Sequence, residues 1–154
     1  TTRNLSHPTV HCKAYVMNAN FGIILLAAIA GFGFGSVWYM ALSKPWLAAL
    51  GEAGARQTKS VNFSVAMGIT FAAQLIMAWV LAGLFAHLLK GGVPATIGNG
   101  MLSAAFLWFG FVAPSMAANH TFQGARPMLT VIDAGHWLGV LLIQGAIVGG
   151  WGVR

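Results

Sequence analysis

Four long apolar runs, almost free of charge, constrain this chain more than any other feature of its sequence. They lie at about residues 21–42, 61–89, 98–119 and 129–151. A run of about 20 apolar residues can cross a hydrocarbon core about 30 Å thick as an α-helix. A lone strand in lipid would leave its backbone N–H and C=O groups unpaired. The sequence therefore predicts an all-α integral membrane protein with a single domain, a four-transmembrane-helix bundle spanning residues 17–154.

The charge content of the chain agrees with a membrane environment and argues against a nucleic-acid partner. Charged residues make up only 6% of the 154 residues, whereas a soluble domain carries about a quarter. The eight basic residues stand singly and form no basic patch, so we expect no nucleic-acid binding. Because these residues flank the apolar runs, we expect them to contact the headgroups of membrane lipids.

Residues 1–16 are predicted to form a polar tail, because they lack the apolar core of a secretory signal. With four spans, both termini share one side of the membrane. The terminal side carries Arg3, Lys13, Lys90 and Arg154, and the opposite side carries Lys44, Arg56, Lys59 and Arg126. If the chain is counted from Met17, the opposite side has the excess of positive charge. That balance favours termini on the non-cytoplasmic side. Cys12 is the one cysteine, so no intrachain disulfide is expected.

The connections between the runs carry most of the helix-breaking signals. Residues 43–60 include a stretch, LAALGEAGAR, that is predicted to form a short helix in the membrane interface, with Trp46 at the level of the headgroups. Pro114 lies inside the third run and removes a backbone hydrogen bond to the carbonyl of Gly110. A kink is therefore predicted there.

Small residues recur at helical spacing in the first and fourth runs and predict helix-packing surfaces. They are Ala27, Gly31 and Gly35 in the first run, and Gly135, Gly139, Gly145 and Gly149 in the fourth. Such residues let two helices approach each other closely. Packing within the bundle is the simplest interpretation. Self-association, or contact with another membrane protein subunit, is the alternative.

A polar group in the fourth run is the strongest signal of a functional site. Asp133 and His136 share one helix face, and Gln144 lies deeper on the same face. Ionisable residues in an apolar span usually point into the bundle and mark functional sites. Three interpretations stay open. In the structural one, Asp133 suits the dipole at the helix start and pairs with His136 or a backbone donor; the others are binding of a ligand or lipid headgroup, and proton handling or catalysis.

Further aromatic and polar residues are expected at the same membrane surface, because the first and third runs end there. The predicted binding residues are Trp38, Tyr39, Trp46, Asn119, His120, Phe122, Arg126, Asp133, His136 and Trp137. The four apolar runs contain no HxxxH or HExxH spacing, and the sequence has no GxSxG element, so no metal ligand or catalytic residue is predicted. No cofactor is predicted either, although a bound lipid or pigment is compatible with these residues.

Several of these motifs together resemble the family of domain of unknown function 1761, small bacterial membrane proteins with four spans. The resemblance covers residues 17–153 and rests on Gly35, Trp38, Tyr39 and Trp46, on Asn119-His-Thr-Phe122, on Arg126-Pro127, and on Ile132-Asp-Ala-Gly-His-Trp137. It implies a bacterial cytoplasmic membrane and a cluster of motif residues on the side of the first and third loops. The family brings no established activity.

Two functional hypotheses remain from the sequence. The first is a non-enzymatic accessory or scaffolding subunit. It is favoured by the small residues at helical spacing in the first and fourth runs, here called the small-residue seams, and by the scarcity of catalytic residues. The second is a transporter-like protein that handles a small molecule or an ion at a site around Asp133 and His136. An enzyme is the least favoured class.

Overall fold

The computed structural model describes residues 20–152, which fold entirely into helices and the short turns between them. Helix α1 spans Phe21–Ala41, α2 Ser43–Lys59, α3 Phe63–Lys90, α4 Ile97–Phe122 and α5 Pro127–Gly152. All of these except α2 are long and apolar enough to cross a membrane. The predicted all-α fold with four transmembrane helices is confirmed. The tail of residues 1–16, with Cys12, lies outside the described residues, as does Arg154.

Polar caps and a proline set the starts of the transmembrane helices. The side chain of Asn20 accepts a hydrogen bond from the backbone N–H of Ile23, and Asn62 and Thr96 cap α3 and α4 in the same way. These bonds satisfy backbone donors that the first turn of a helix leaves free. Helix α5 begins two residues earlier than predicted because Pro127 occupies its first turn, where proline is favoured.

Helix α2 turns the chain across the end of α1. Only Leu42 separates the two helices, and α2 packs against α5 as well as α1. Gly51 has a φ of +72° and interrupts α2 with a non-helical residue, a conformation that glycine adopts without strain. The stretch predicted as one short helix is therefore two helical segments joined at Gly51, and its place in the membrane interface stays a prediction.

Helix α5 forms the centre of the bundle and contacts each of the other helices. Helix α1 lies between α5 and α3, and α4 packs on another side of α5. The first turns of α1 and the last turns of α5 meet the far half of α3 in an apolar core. This core consists of Ile24, Ala27, Ala78, Ala82, Phe85 and Val148. The predicted packing residue Ala27 is thus fully buried within the bundle.

The helical register changes in α4 directly before its proline. Residues Trp108–Val112 form a π-helical segment, and the N–H of Ala113 donates to the carbonyl of Trp108, five residues back. Pro114 has no N–H to offer the carbonyl of Gly110, and π-turns commonly accommodate such interruptions. The structure thus shows a change of hydrogen-bond register before Pro114, and the predicted kink stays a prediction.

The glycines of α5 serve two kinds of close contact. A Cβ atom placed on Gly145 or Gly149 would collide with the backbone of α4 at Gly100, so these glycines permit a backbone-to-backbone crossing. A Cβ on Gly135 would lie 3.1 Å from the ring of Trp38, and one on Gly139 would overlap the ring of Phe34. These latter glycines make room for aromatic rings from α1.

Candidate ligand-binding site

Asp133 joins three helices at one end of the bundle. Its Oδ1 accepts a hydrogen bond of 2.8 Å from the hydroxyl of Tyr39 in α1 and one of 3.1 Å from Nε1 of Trp46 in α2. Both donors reach it because α2 starts immediately after α1. The structural interpretation of Asp133 therefore named the wrong partners. Asp133 lies beyond the first turn of α5 and takes its hydrogen bonds from neighbouring helices instead of from His136 or a backbone donor.

Helix α4 contributes a histidine to the same group. Nε2 of His120 lies 4.0 Å from Oδ2 of Asp133, and Nδ1 of His120 lies 3.0 Å from the hydroxyl of Thr130. The two side chains of the pair are 16% and 18% exposed. The pair is ionic only when the imidazole is protonated, so its strength depends on the charge of His120.

Two tryptophans fix α1 and α4 to the backbone of α5 on either side of Asp133. Nε1 of Trp38 donates to the carbonyl of Ile132 at 3.2 Å, and Nε1 of Trp108 donates to the carbonyl of Ala134 at 2.8 Å. A carbonyl oxygen can accept a second bond beside its helical one. Trp38 was predicted to bind a ligand, but its indole N–H donates to the backbone of α5 and holds α1 against that helix.

A cavity of about 610 Å³ opens between α1 and α3 at this same end of the bundle. The two helices pack together around Ala27 and Ala78 and line the open cavity farther along. The lining residues recur at intervals of three, four and seven, as one face of each helix requires. The cavity is lined by Phe32, Gly35, Ser36, Tyr39, Met40 and Ser43 of α1, by Phe63, Met67, Thr70 and Gln74 of α3, and by His136 of α5.

The inner end of the cavity holds two buried polar side chains with unused hydrogen-bonding atoms. Gln74 is completely buried and accepts a 2.7 Å bond from Nε2 of Gln144. His136 is 4% exposed. Among the described residues, three buried side-chain atoms have no hydrogen-bond partner: Nε2 of Gln74, Nδ1 of His136 and Oε1 of Gln144, a residue that does not line the cavity. A buried polar atom without a partner is costly, so each such atom in a folded protein needs an explanation.

Glycines of α1 create the space for these two side chains. A Cβ on Gly31 would lie 2.6 Å from Oε1 of Gln74, and a Cβ on Gly35 would lie 2.6 Å from Nε2 of His136. The small-residue seam predicted on α1 therefore accommodates polar side chains rather than the backbone of another helix. Its spacing places one polar group per helical turn against α1.

Tyr39 connects the cavity to the Asp133 group, by which we mean Asp133 with Tyr39, Trp46 and His120. Its ring lines the cavity and lies 4.8 Å from the imidazole of His136, measured between ring centroids. Its hydroxyl donates to Asp133. Asp133 therefore orients a side chain of the cavity wall. Within residues 20–152, no cluster of three His, Cys, Asp or Glu side chains could hold a metal ion.

The family of the chain follows from a match that spans all of these elements. Residues 23–149 match the family described as "Protein of unknown function (DUF1761)". The chain belongs to the DUF1761 family. No curated protein and no solved structure matches it. The matched segment contains every residue of the cavity and of the Asp133 group, so both lie within the part of the chain that the DUF1761 match covers.

In this DUF1761 member, several predicted binding residues lie apart from the cavity. Asn119 is exposed, and Phe122 is 92% exposed. Arg126 is exposed and donates from Nη1 to the carbonyl of Ala48 at 2.6 Å, which fixes α2 to the start of α5. Trp137 is half-buried and packs on the ring of His136. The structure brings together Tyr39, Trp46, His120, Asp133 and His136.

Sequence reasoning missed the α3 side of the site. Gln74, Thr70 and Met67 line the cavity, yet none was predicted to contribute to binding. The available signal was an amide inside an otherwise apolar span, which is as unusual in hydrocarbon as Gln144 on α5. The partner of the α4–α5 crossing, Gly100, was missed because a single glycine shows no repeat.

Proposed function

We propose that this protein binds a small uncharged molecule in the cavity between α1 and α3, and that this is its role in the membrane. The observation that carries the proposal is the cavity of about 610 Å³, whose largely apolar lining includes the hydroxyls of Ser36 and Thr70 and the imidazole of His136. A small molecule with polar atoms can bond to these groups. Lipid tails cannot do so, because they carry no polar atoms.

The dimensions and walls of the cavity support a small-molecule ligand. A volume of about 610 Å³ lies within the range of about 300–1,000 Å³ that is typical of ligand pockets. A smaller space of about 370 Å³ adjoins it along α2 and shares Tyr39, Ser43 and Met67 with it. Together the two spaces extend from Gln74 on α3 to Trp46 on α2. The Asp133 group then serves to hold Tyr39 and the corner between α1 and α2 in place.

The small-residue seams give the accessory-subunit hypothesis little support. Gly145 and Gly149 contact α4 of the same chain, and Gly135 and Gly139 contact rings of α1. Contacts within the chain therefore account for the seams, which leaves no need for a partner subunit. We favour ligand binding over scaffolding for this reason.

We further propose that the protein lies in a bacterial cytoplasmic membrane with the mouth of the cavity towards the cytoplasm. Lys44, Arg56, Lys59 and Arg126 flank that end of the bundle, and positive charge favours the cytoplasmic side. The start of α1 and the end of α5 then lie on the other side. Reporter fusions test this topology. A fusion in the loop between α2 and α3 should report a cytoplasmic location and one in the loop between α3 and α4 a non-cytoplasmic location, and the reverse pattern would contradict it.

Native mass spectrometry of the protein, extracted from its own membranes in a mild detergent, tests the proposed function. Wild-type protein should carry a bound small molecule, and Ser36→Phe should lose it because the ring fills the cavity. Ser115→Phe is the matched control, since Ser115 is exposed on α4 and does not line the cavity. A wild-type protein without any bound molecule, or equal binding in both variants, would contradict the proposal.

A further inference from the structure

The two hydroxyl groups on the facing helices of the cavity already donate their protons to the protein. The hydroxyl of Ser36 in α1 donates to the carbonyl of Phe32 at 3.1 Å, and the hydroxyl of Thr70 in α3 donates to the carbonyl of Ala66 at 2.8 Å. Both residues line the cavity. A hydroxyl oxygen can accept hydrogen bonds while its proton is in use. Ser36 and Thr70 therefore present acceptors to an occupant of the cavity.

The other polar side chains of the lining add little donor capacity. The hydroxyls of Ser43 and Tyr39 also donate within the protein, to the carbonyl of Met40 and to Asp133. The amide nitrogen of Gln74 is buried and offers no donor to an occupant. The cavity thus presents hydroxyl oxygens that accept, and its occupant has to supply the protons.

A ligand that donates gains more from these hydroxyls than a ligand that only accepts. A donor adds a hydrogen bond to Ser36 or Thr70 and leaves the bonds to Phe32 and Ala66 intact. An acceptor gains its bond only when the hydroxyl releases its carbonyl, so one bond replaces another. Each added bond contributes to the free energy of binding, whereas an exchange contributes little. The lining therefore favours a hydrogen-bond donor.

The depth of the two hydroxyls separates such a ligand from a phospholipid. Thr70 lies seven residues beyond Phe63, the first residue of α3, and Ser36 lies five residues before Ala41, the last residue of α1. These spacings correspond to about 10 Å and about 8 Å along the helices. The headgroup of a phospholipid stays at the membrane surface, and its tails carry no donor. The ligand is a molecule that carries its donor below the headgroups.

The donor that fits this site is a neutral hydroxyl. The residues that line the cavity include no Asp, Glu, Lys or Arg, so a charge would lose its hydration without gaining a counter-charge from the wall. Nε2 of His136 lies against Gly35 of the lining, and a hydroxyl can bond to either tautomer of an imidazole because it both donates and accepts. We propose that the ligand is a membrane-soluble alcohol whose hydroxyl donates to Ser36 or Thr70. The inference rests on the proposed function and names its ligand class.

Binding of two matched probes to the purified protein in lipid nanodiscs tests this inference. The probes are naphthol and its methyl ether, which share the fused ring and the oxygen and differ in the O–H group. Equilibrium dialysis against protein-free nanodiscs of the same lipid corrects for partition into the bilayer. The wild-type protein should bind naphthol at least about fivefold more tightly, as one added hydrogen bond predicts. Equal affinity, tighter binding of the ether, or binding of neither probe above the lipid alone would overturn the alcohol assignment.

A double variant without the two hydroxyls locates the recognition. Ser36→Ala combined with Thr70→Val removes both acceptors at little change in volume. This variant should bind the two probes equally, and its affinity for the ether should stay that of the wild type, because the cavity itself is intact. A preference for naphthol that survives in this variant would overturn the assignment, since the hydroxyl would then be recognised elsewhere.

The matched control removes two hydroxyls of the same kind outside the cavity. The hydroxyls of Ser103 and Thr121 donate to carbonyls of their own helix, α4, at 2.8 Å and 2.7 Å, and neither residue lines the cavity. Ser103→Ala combined with Thr121→Val should keep the preference for naphthol. Loss of the preference in this control would overturn the assignment to Ser36 and Thr70.

Failure of the ligand class can be distinguished from failure of the proposed function. A native adduct that Ser36→Phe displaces, together with equal affinity for the two probes, would leave the cavity a binding site for another neutral molecule. Absence of any native adduct would contradict the proposed function itself.

Discussion

The two halves of α5 carry the same spacing of glycines and use it differently. Gly145 and Gly149 bring the backbone of α5 against Gly100 of α4, whereas Gly135 and Gly139 leave room for the rings of Trp38 and Phe34. The residue on the facing helix causes the difference. Where a glycine faces a glycine, the two helix backbones can touch. Where a glycine faces an aromatic residue, the ring occupies the space that a side chain would fill. Small-residue spacing thus indicates that something approaches closely, and the facing helix determines what it is.

The largest effect is expected at the backbone crossing. Gly100→Ala places a Cβ against the carbonyl of Gly145, and backbone atoms cannot move aside without separating α4 from α5. We expect the free energy of unfolding in mixed micelles to fall by about 3 kcal/mol. Gly110→Ala in the same helix is the control, because nothing lies within 4 Å of its Cβ. A Gly100→Ala protein as stable as the control would contradict the close crossing.

The opposite half of the bundle depends on hydrogen bonds to one carboxylate. Asp133→Asn weakens the bonds from Tyr39 and Trp46, and bonds to a charged group contribute about 2 kcal/mol when partly buried. We expect a loss of that size in denaturant titration. Glu52→Gln is the control, since Glu52 is exposed and pairs loosely with Arg56 at 3.9 Å. It should leave stability unchanged. Equal effects of the two substitutions would refute a structural role for Asp133.

A smaller effect is expected where a glycine faces a ring. Gly139→Ala should destabilise the protein by about 1 kcal/mol, because the new methyl group displaces the ring of Phe34. The same substitution should cost nothing in a Phe34→Ala background, where the ring is absent. A double-mutant cycle measures this coupling. Additive effects would show that the ring does not occupy the space beside Gly139.

The fold was predictable because it depends on local properties of each run. Length and hydropathy identified all four transmembrane helices and placed their ends within a few residues. The break in α2 was not predictable, because Gly51 is one of many glycines and only its φ of +72° distinguishes it. The crossing at Gly100 depends on the facing helix, which no single run reveals.

The site was predictable where polar residues lie near span ends. Tyr39, Trp46, His120 and Asp133 were expected on one surface, and they meet there. Their partners were not predictable in detail, because helical spacing on α5 suggested His136 for Asp133. Gln74 was missed because its role depends on how α3 packs against α1 and α5.

The smallest effect is expected at a predicted binding residue that lies apart from the cavity. Asn119 is exposed at the end of α4. Asn119→Ala should change the free energy of unfolding by less than about 0.5 kcal/mol and should leave the native adduct in place. Loss of the adduct in this variant would extend the site beyond the cavity.

Photocrosslinking in the native membrane tests the central claim most directly. A photoreactive benzophenone side chain replaces Ser36 in the cavity, or Ser115 on the exposed face of α4 as a reference, and the crosslinked molecules are identified by mass. The account predicts that position 36 captures a small uncharged molecule and that position 115 captures phospholipid. Capture of the same phospholipids at both positions would contradict a ligand site between α1 and α3.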